Sequence, residues 1–113
     1  MTNTMEPSQK ENARTECERR LLRFLCAREA DAAARRSVAR RLADYSWRDA
    51  DHEILFEAIS ELLRDEPRQI LSELPAAITR LGFPDISCEW LAVDCGMNST
   101  QARELAEELL RAS

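Results

Sequence analysis

His52 and the four cysteines, Cys17, Cys26, Cys88 and Cys95, are the side chains with the most chemistry to offer: a base, a metal ligand, a thiolate. Their spacing withholds most of it. Cys17 and Cys26 are nine positions apart on one predicted helix, so they point to opposite sides. Cys88 and Cys95 are separated by two helical turns, about 10 Å along an axis. Zinc holds its sulfurs at about 2.3 Å, and neither pair meets that requirement locally. No Cys-x-x-Cys occurs, so the four are expected as buried apolar thiols. His52, the single histidine, falls about 60° from Leu55 on a predicted helix, at the edge of the apolar arc. It is expected as a partly buried, hydrogen-bonded framework residue. A catalytic base needs an oriented nucleophile, and the sequence offers no such constellation. No catalytic residue, metal ligand or cofactor is assigned.

The remaining chemistry lies in charge. Residues 1–48 carry eleven basic against seven acidic side chains, whereas residues 49–113 carry five against fourteen. A net +4 thus faces a net −9, which gives the −5 of the whole chain and predicts attraction between the halves or two distinct partner-facing surfaces. Arg19, Arg20 and Arg23 fill the polar strip of the first predicted helix, and Arg36 and Arg40 lie one turn apart on the second. Arg23, Arg36, Arg40 and Trp90 are the candidate partner-binding residues. An anion-facing patch for nucleic acid is the alternative use of the arginines, but the net acidity argues against it.

The elements that must position these residues are helical. Two glycines and four prolines in 113 residues, with no window alternating apolar and polar, point to an all-α bundle of about six helices. The expected order is a disordered tail over 1–12, then a single helical domain over 13–113. Helix 1 is predicted from about Ala13 or Thr15 to Arg28, with Leu21, Leu22, Phe24 and Leu25 in an apolar arc of roughly 200°. Helix 2 runs from roughly Asp31 to Tyr45 on a thin stripe of Ala34, Val38, Leu42 and Tyr45. Helix 3 covers about 47–64, capped at Ser46 or Asp49, with an arc of roughly 200° around Leu55 and Ile59. Helices 1 and 3 should be central and pack on each other. Pro75 is expected either to kink a fourth helix or, as the favoured reading, to split it into 67–72 and 74–81, with Gly82 as terminator. A short helix 5 follows over Cys88–Asp94, and helix 6 runs from an Asn98–Gln101 capping box to Arg111. No apolar run reaches the length of a membrane span, and the first twelve residues have no signal-peptide core, so a cytoplasmic protein is expected.

With helices 1 to 3 laid out, the stretch Glu18-Arg-Arg-Leu-Leu-Arg-Phe-Leu25, a variable Ala/Arg helix, and then Trp47, Asp49, His52, Leu55, Phe56, Ala58 and Ile59 form a pattern. It resembles the N-terminal domain of DnaB-type replicative helicases and the related helicase-binding C-terminal domain of bacterial primase. The resemblance covers residues 18–66 and departs from those domains at Gly82-Phe-Pro-Asp85 and Trp90-Leu91. It implies a non-enzymatic protein–protein interaction module of the replisome, with helicase or primase as partner and self-association as a further expectation.

Overall fold

Leu21, Leu22, Phe24 and Leu25 are completely or almost completely buried, as are Leu55, Ala58, Ile59 and Leu63, so both wide apolar arcs are covered on two sides. The computed structural model describes residues 5–27, 30–65 and 70–112, and those residues form helices and turns with no strand. The helices are α1 (Met5–Cys26), α2 (Ala32–Arg41), α3 (Ala50–Asp65), α4 (Ile70–Arg80) and α5 (Ser99–Ala112). Single 3-10 turns occupy Leu42–Asp44 and Glu89–Ala92. α3 packs on α1, α2 and α4, while α5 closes the far side against α1 and α2. A helix surrounded in this way needs more apolar circumference than a surface helix, which is what its sequence supplies. No helix among the described residues is long and apolar enough to cross a membrane.

Among the described residues, five α-helices stand where about six were expected. The span Cys88–Asp94 yields only the 3-10 turn Glu89–Ala92, because Val93 is extended and Gly96 turns the chain at φ +71° before α5. α1 begins at Met5 rather than at Ala13 or Thr15, with Pro7 in its first turn, where a missing N–H costs no helical bond. Of the expected disordered tail over 1–12, residues 5–12 fall within α1 and residues 1–4 lie outside the described residues. Pro75 does not split the fourth helix: Ile70–Arg80 is continuous, and Ile70, Leu74, Ala77 and Ile78 are all buried. Burial of four apolar side chains outweighs the one helical hydrogen bond that proline forgoes. Residues 66–69, including Pro67, lie outside the described residues, so the expected start at 67 does too.

The helix ends follow local chemistry. Asp31 caps α2 by accepting from the Ala34 amide at 3.1 Å. Asp49, not Ser46, caps α3, accepting from the amides of Asp51 and His52. Asn98 and Gln101 form the reciprocal box at α5, each side chain accepting from the other's amide. Gly82, at φ +96°, ends α4: its amide bonds the Thr79 carbonyl and the Phe83 amide bonds that of Ile78.

Arginines of the basic half close helix C-termini. Arg35 donates to the Leu25 carbonyl at the end of α1, Arg36 to that of Leu63 near the end of α3, and Arg14 to that of Ala112 at the end of α5. Each places a cation where the helix leaves carbonyls unpaired and the macrodipole is negative. Arg35 is buried where it makes this bond. Arg41 adds an exposed ion pair to Glu107 on α5 at 2.6 Å. The two oppositely charged halves are thus joined at several points.

Candidate functional site

Glu18 is completely buried in the middle of α1, with Leu21, Leu22 and Leu25 following at i+3, i+4 and i+7. A glutamate on the apolar face of a helix is costly unless its charge is fully answered. Here three donors converge on it. The Tyr45 hydroxyl and the Arg48 amide both donate to Oε2, at 2.6 and 2.7 Å, and His52 Nδ1 lies 2.8 Å from Oε1. Burial pushes the Glu18 pKa up, but the bonds from His52, the Arg48 amide and Tyr45 outweigh it and hold the carboxyl below the ordinary glutamate value. A carboxylate has no proton to give, so Nδ1 of His52 is the donor. Burial first, and the Glu18 carboxylate second, raise the pKa of Tyr45 and keep its proton on oxygen. The cluster joins α1 to the segment between α2 and α3 and to the first turn of α3.

Two concavities flank this hub, and they share no lining residue. The smaller, of roughly 290 Å³, is lined by Arg19, Arg23, Asp49, Asp51, His52 and Trp90 among others. The Arg23 guanidinium lies over the Trp90 ring at 5.5 Å and its Nε donates to the Trp90 carbonyl, while the Trp90 indole donates to the Ser87 carbonyl. Both Arg19 and Arg23 also approach Glu16. A carboxylate–imidazole pair can orient a base for proton transfer. Among the described residues, however, no hydrogen bond joins His52 to a hydroxyl or thiol.

The larger concavity is a groove of roughly 910 Å³ between α2 and α3. These helices run antiparallel, since Arg36 near the start of α2 meets Leu63 near the end of α3, while Trp47, just past α2, meets Phe56 at 5.0 Å. The floor is largely apolar, built from Ala39, Ala43, Tyr45, Trp47, Phe56 and Leu63. Trp47 is held edge-on by Tyr45 at 5.1 Å and keeps part of its ring accessible. The α2 wall carries Arg36 and Arg40; the α3 wall carries Glu53, Glu57 and Glu61 and ends in Arg64. Among the described residues, Arg40, Arg64, Glu53, Glu57 and Glu61 make no ion pair within 4 Å, and Ser60 Oγ, buried in the same lining, has no hydrogen-bond partner.

The four candidate partner-binding residues therefore divide. Arg36 and Arg40 share the groove, whereas Arg23 and Trp90 meet at the smaller cleft and are largely engaged with each other. The arginines do not form one continuous strip. Glu18 was missed by sequence reasoning, although a signal exists: it leads Leu21, Leu22 and Leu25 at the spacing by which His52 leads Leu55, Phe56 and Ile59. Two polar residues placed alike on two apolar arcs that must face each other are candidates for a buried pair. All four cysteines are free, Cys26 and Cys95 buried, and burial pushes the Cys26 thiol up to about 12. No group of three or more His, Cys, Asp and Glu side chains among the described residues is placed to hold a metal ion.

Compared with protein-family models, with curated proteins and with solved structures, the chain matches none.

Proposed function

We propose that this protein works by docking rather than by catalysis, as a helical interaction module of the bacterial replisome that binds a partner in the groove between α2 and α3. The observation that carries this reading is the groove itself: a largely apolar floor with two aromatic side chains, between charged walls whose ions are not spent on each other. Trp47 and Phe56 are only partly buried in that floor, which leaves aromatic surface open to a partner's apolar side chains. The hub supports the same reading, because the residues most able to do chemistry, Glu18 and His52, are committed to joining helices. Its members Glu18 and His52, together with Trp47, Asp49 and Phe56, also carry the resemblance to helicase and primase interaction domains, and so the replicative helicase or primase, in the cytoplasm, is the proposed partner. A nucleic-acid-facing arginine strip has less support, since Arg23 and Arg35 bond backbone carbonyls of this fold and Arg36 and Arg40 lie in a separate groove beside glutamates.

The test is retention of the purified host helicase or primase on immobilised protein. One of the two should be retained by the wild type and lost by the groove variants Phe56→Ala and Glu57→Lys/Glu61→Lys. A clean negative against both would sink the replisome assignment.

A further inference from the structure

If the groove is a docking site, its charge layout specifies the occupant more closely than docking alone. The concavity must be filled by something convex, so a second copy placed groove to groove leaves it empty. From Glu53 to Arg64 the α3 wall spans eleven helical rises, about 16 Å, which is the length of a three-turn helix. The walls differ in sign across the groove, Arg36 and Arg40 facing the Glu57 and Glu61 row. They also differ along it. The Trp47 end has Glu53 and no arginine in its lining, whereas the Leu63 end gathers Arg36 and Arg64. Arg36 is held in place there by its bond to the Leu63 carbonyl, so its charge is fixed before any partner arrives.

We infer that the groove binds a partner's amphipathic helix of about three turns lying parallel to α3, its N-terminus at the Glu53 end and its C-terminus at the Arg36 and Arg64 end. The positive end of the helix dipole then meets Glu53 and the negative end meets the arginines. Apolar side chains at i, i+3, i+4 and i+7 cover Trp47, Phe56, Ala43 and Leu63. Basic side chains along one edge face Glu53, Glu57 and Glu61, and acidic ones along the other face Arg36 and Arg40. Because turning a helix end for end exchanges its edges, the two walls read direction as well as composition.

The experiment uses two stapled helical peptides of identical composition and apolar stripe. In one, lysines lie on the edge that faces α3 in the parallel orientation; in the other, the lysine and glutamate edges are exchanged. Binding to the intact wild-type protein is measured at low and high salt. Direction is read from a nitroxide at the peptide N-terminus, which broadens nearby backbone amide signals. The first peptide should bind about tenfold more tightly at low salt, with the gap closing at high salt as the charges are screened. Its nitroxide should broaden the Glu53 amide and leave that of Arg64 sharp. Glu57→Lys/Glu61→Lys should remove the preference. Equal affinities, broadening at Arg64 instead of Glu53, or no binding by either peptide would each overturn the inference. If neither peptide binds while helicase or primase is still captured in a Phe56-dependent way, the docking reading stands and the directional helix falls. If the first peptide binds as described and neither partner is captured, the groove inference stands and the replisome assignment falls.

Discussion

Glu18 and Glu57 are both glutamates within an α-helix, and the fold uses them in opposite ways. Glu18 faces α3 and is completely buried, its two oxygens taking three hydrogen bonds from other parts of the chain. Glu57 stands on the wall of an open groove with no ion pair among the described residues. In the first region, charge is consumed in making the structure; in the second it is left over. The hub therefore acts on stability, whereas the groove, on the proposed function, acts on recognition, and substitutions at the two sites should separate those effects cleanly.

The largest expected effect is at the hub. Glu18→Ala leaves the Tyr45 hydroxyl and His52 Nδ1 buried, and the Arg48 amide half-buried, around an empty acceptor position, and should cost about 3–5 kcal/mol in urea unfolding. A cost below about 1 kcal/mol would mean that water or rearrangement replaces the carboxylate, and the contrast with the groove would collapse. Leu55→Ala or Ile59→Ala, cavities in the most enclosed helix, should cost about 2–5 kcal/mol. Tyr45→Phe removes one of the three donors while keeping the ring against Trp47, and should cost about 1.5–3 kcal/mol.

Acid should expose the hub as well. The folded-state pKa of Glu18 is depressed, so its contribution is complete above the unfolded value, about 4.3, and is lost as pH falls through the folded value. The urea midpoint should therefore drop below about pH 4.3 more steeply in the wild type than in Glu18→Gln. Parallel curves would assign acid sensitivity to other carboxylates. The smallest stability effect belongs to the groove: Glu57→Lys/Glu61→Lys should shift unfolding by no more than about 0.5 kcal/mol at each site. A much larger loss would show that the wall is structural after all, and the comparison would lose its second term.

Much of the fold was legible in the residues. The wide apolar arcs marked α1 and α3 as central because burial on two sides demands apolar side chains over most of a helix circumference. Gly82 and the Asn98–Gln101 box marked their helix ends because capping is a contact among residues a few positions apart. Pro75 was misleading for the converse reason. Its local penalty is visible in sequence, but the burial of Ile70, Leu74, Ala77 and Ile78 that overrides it is visible only in the fold.

The candidate sites were less legible. Arg36 and Arg40 were identifiable as a pair one turn apart, but not as one wall of a groove, because the opposite wall is supplied by α3 and the antiparallel packing aligns the two. Arg23 and Trp90 were both singled out, yet their contact depends on how the 3-10 turn at Glu89–Ala92 folds back on α1. By itself, then, the sequence determined that the chain is helical, which helices are central, and that its one histidine belongs to an apolar face. The tertiary structure decided that this histidine answers a buried Glu18, and that the arginines divide between capping helices, stacking on Trp90 and lining a groove. The physical reason is range. Periodicity and caps are fixed by neighbours within two turns, whereas the worth of a charge depends on what the rest of the chain brings within about 3–4 Å of it.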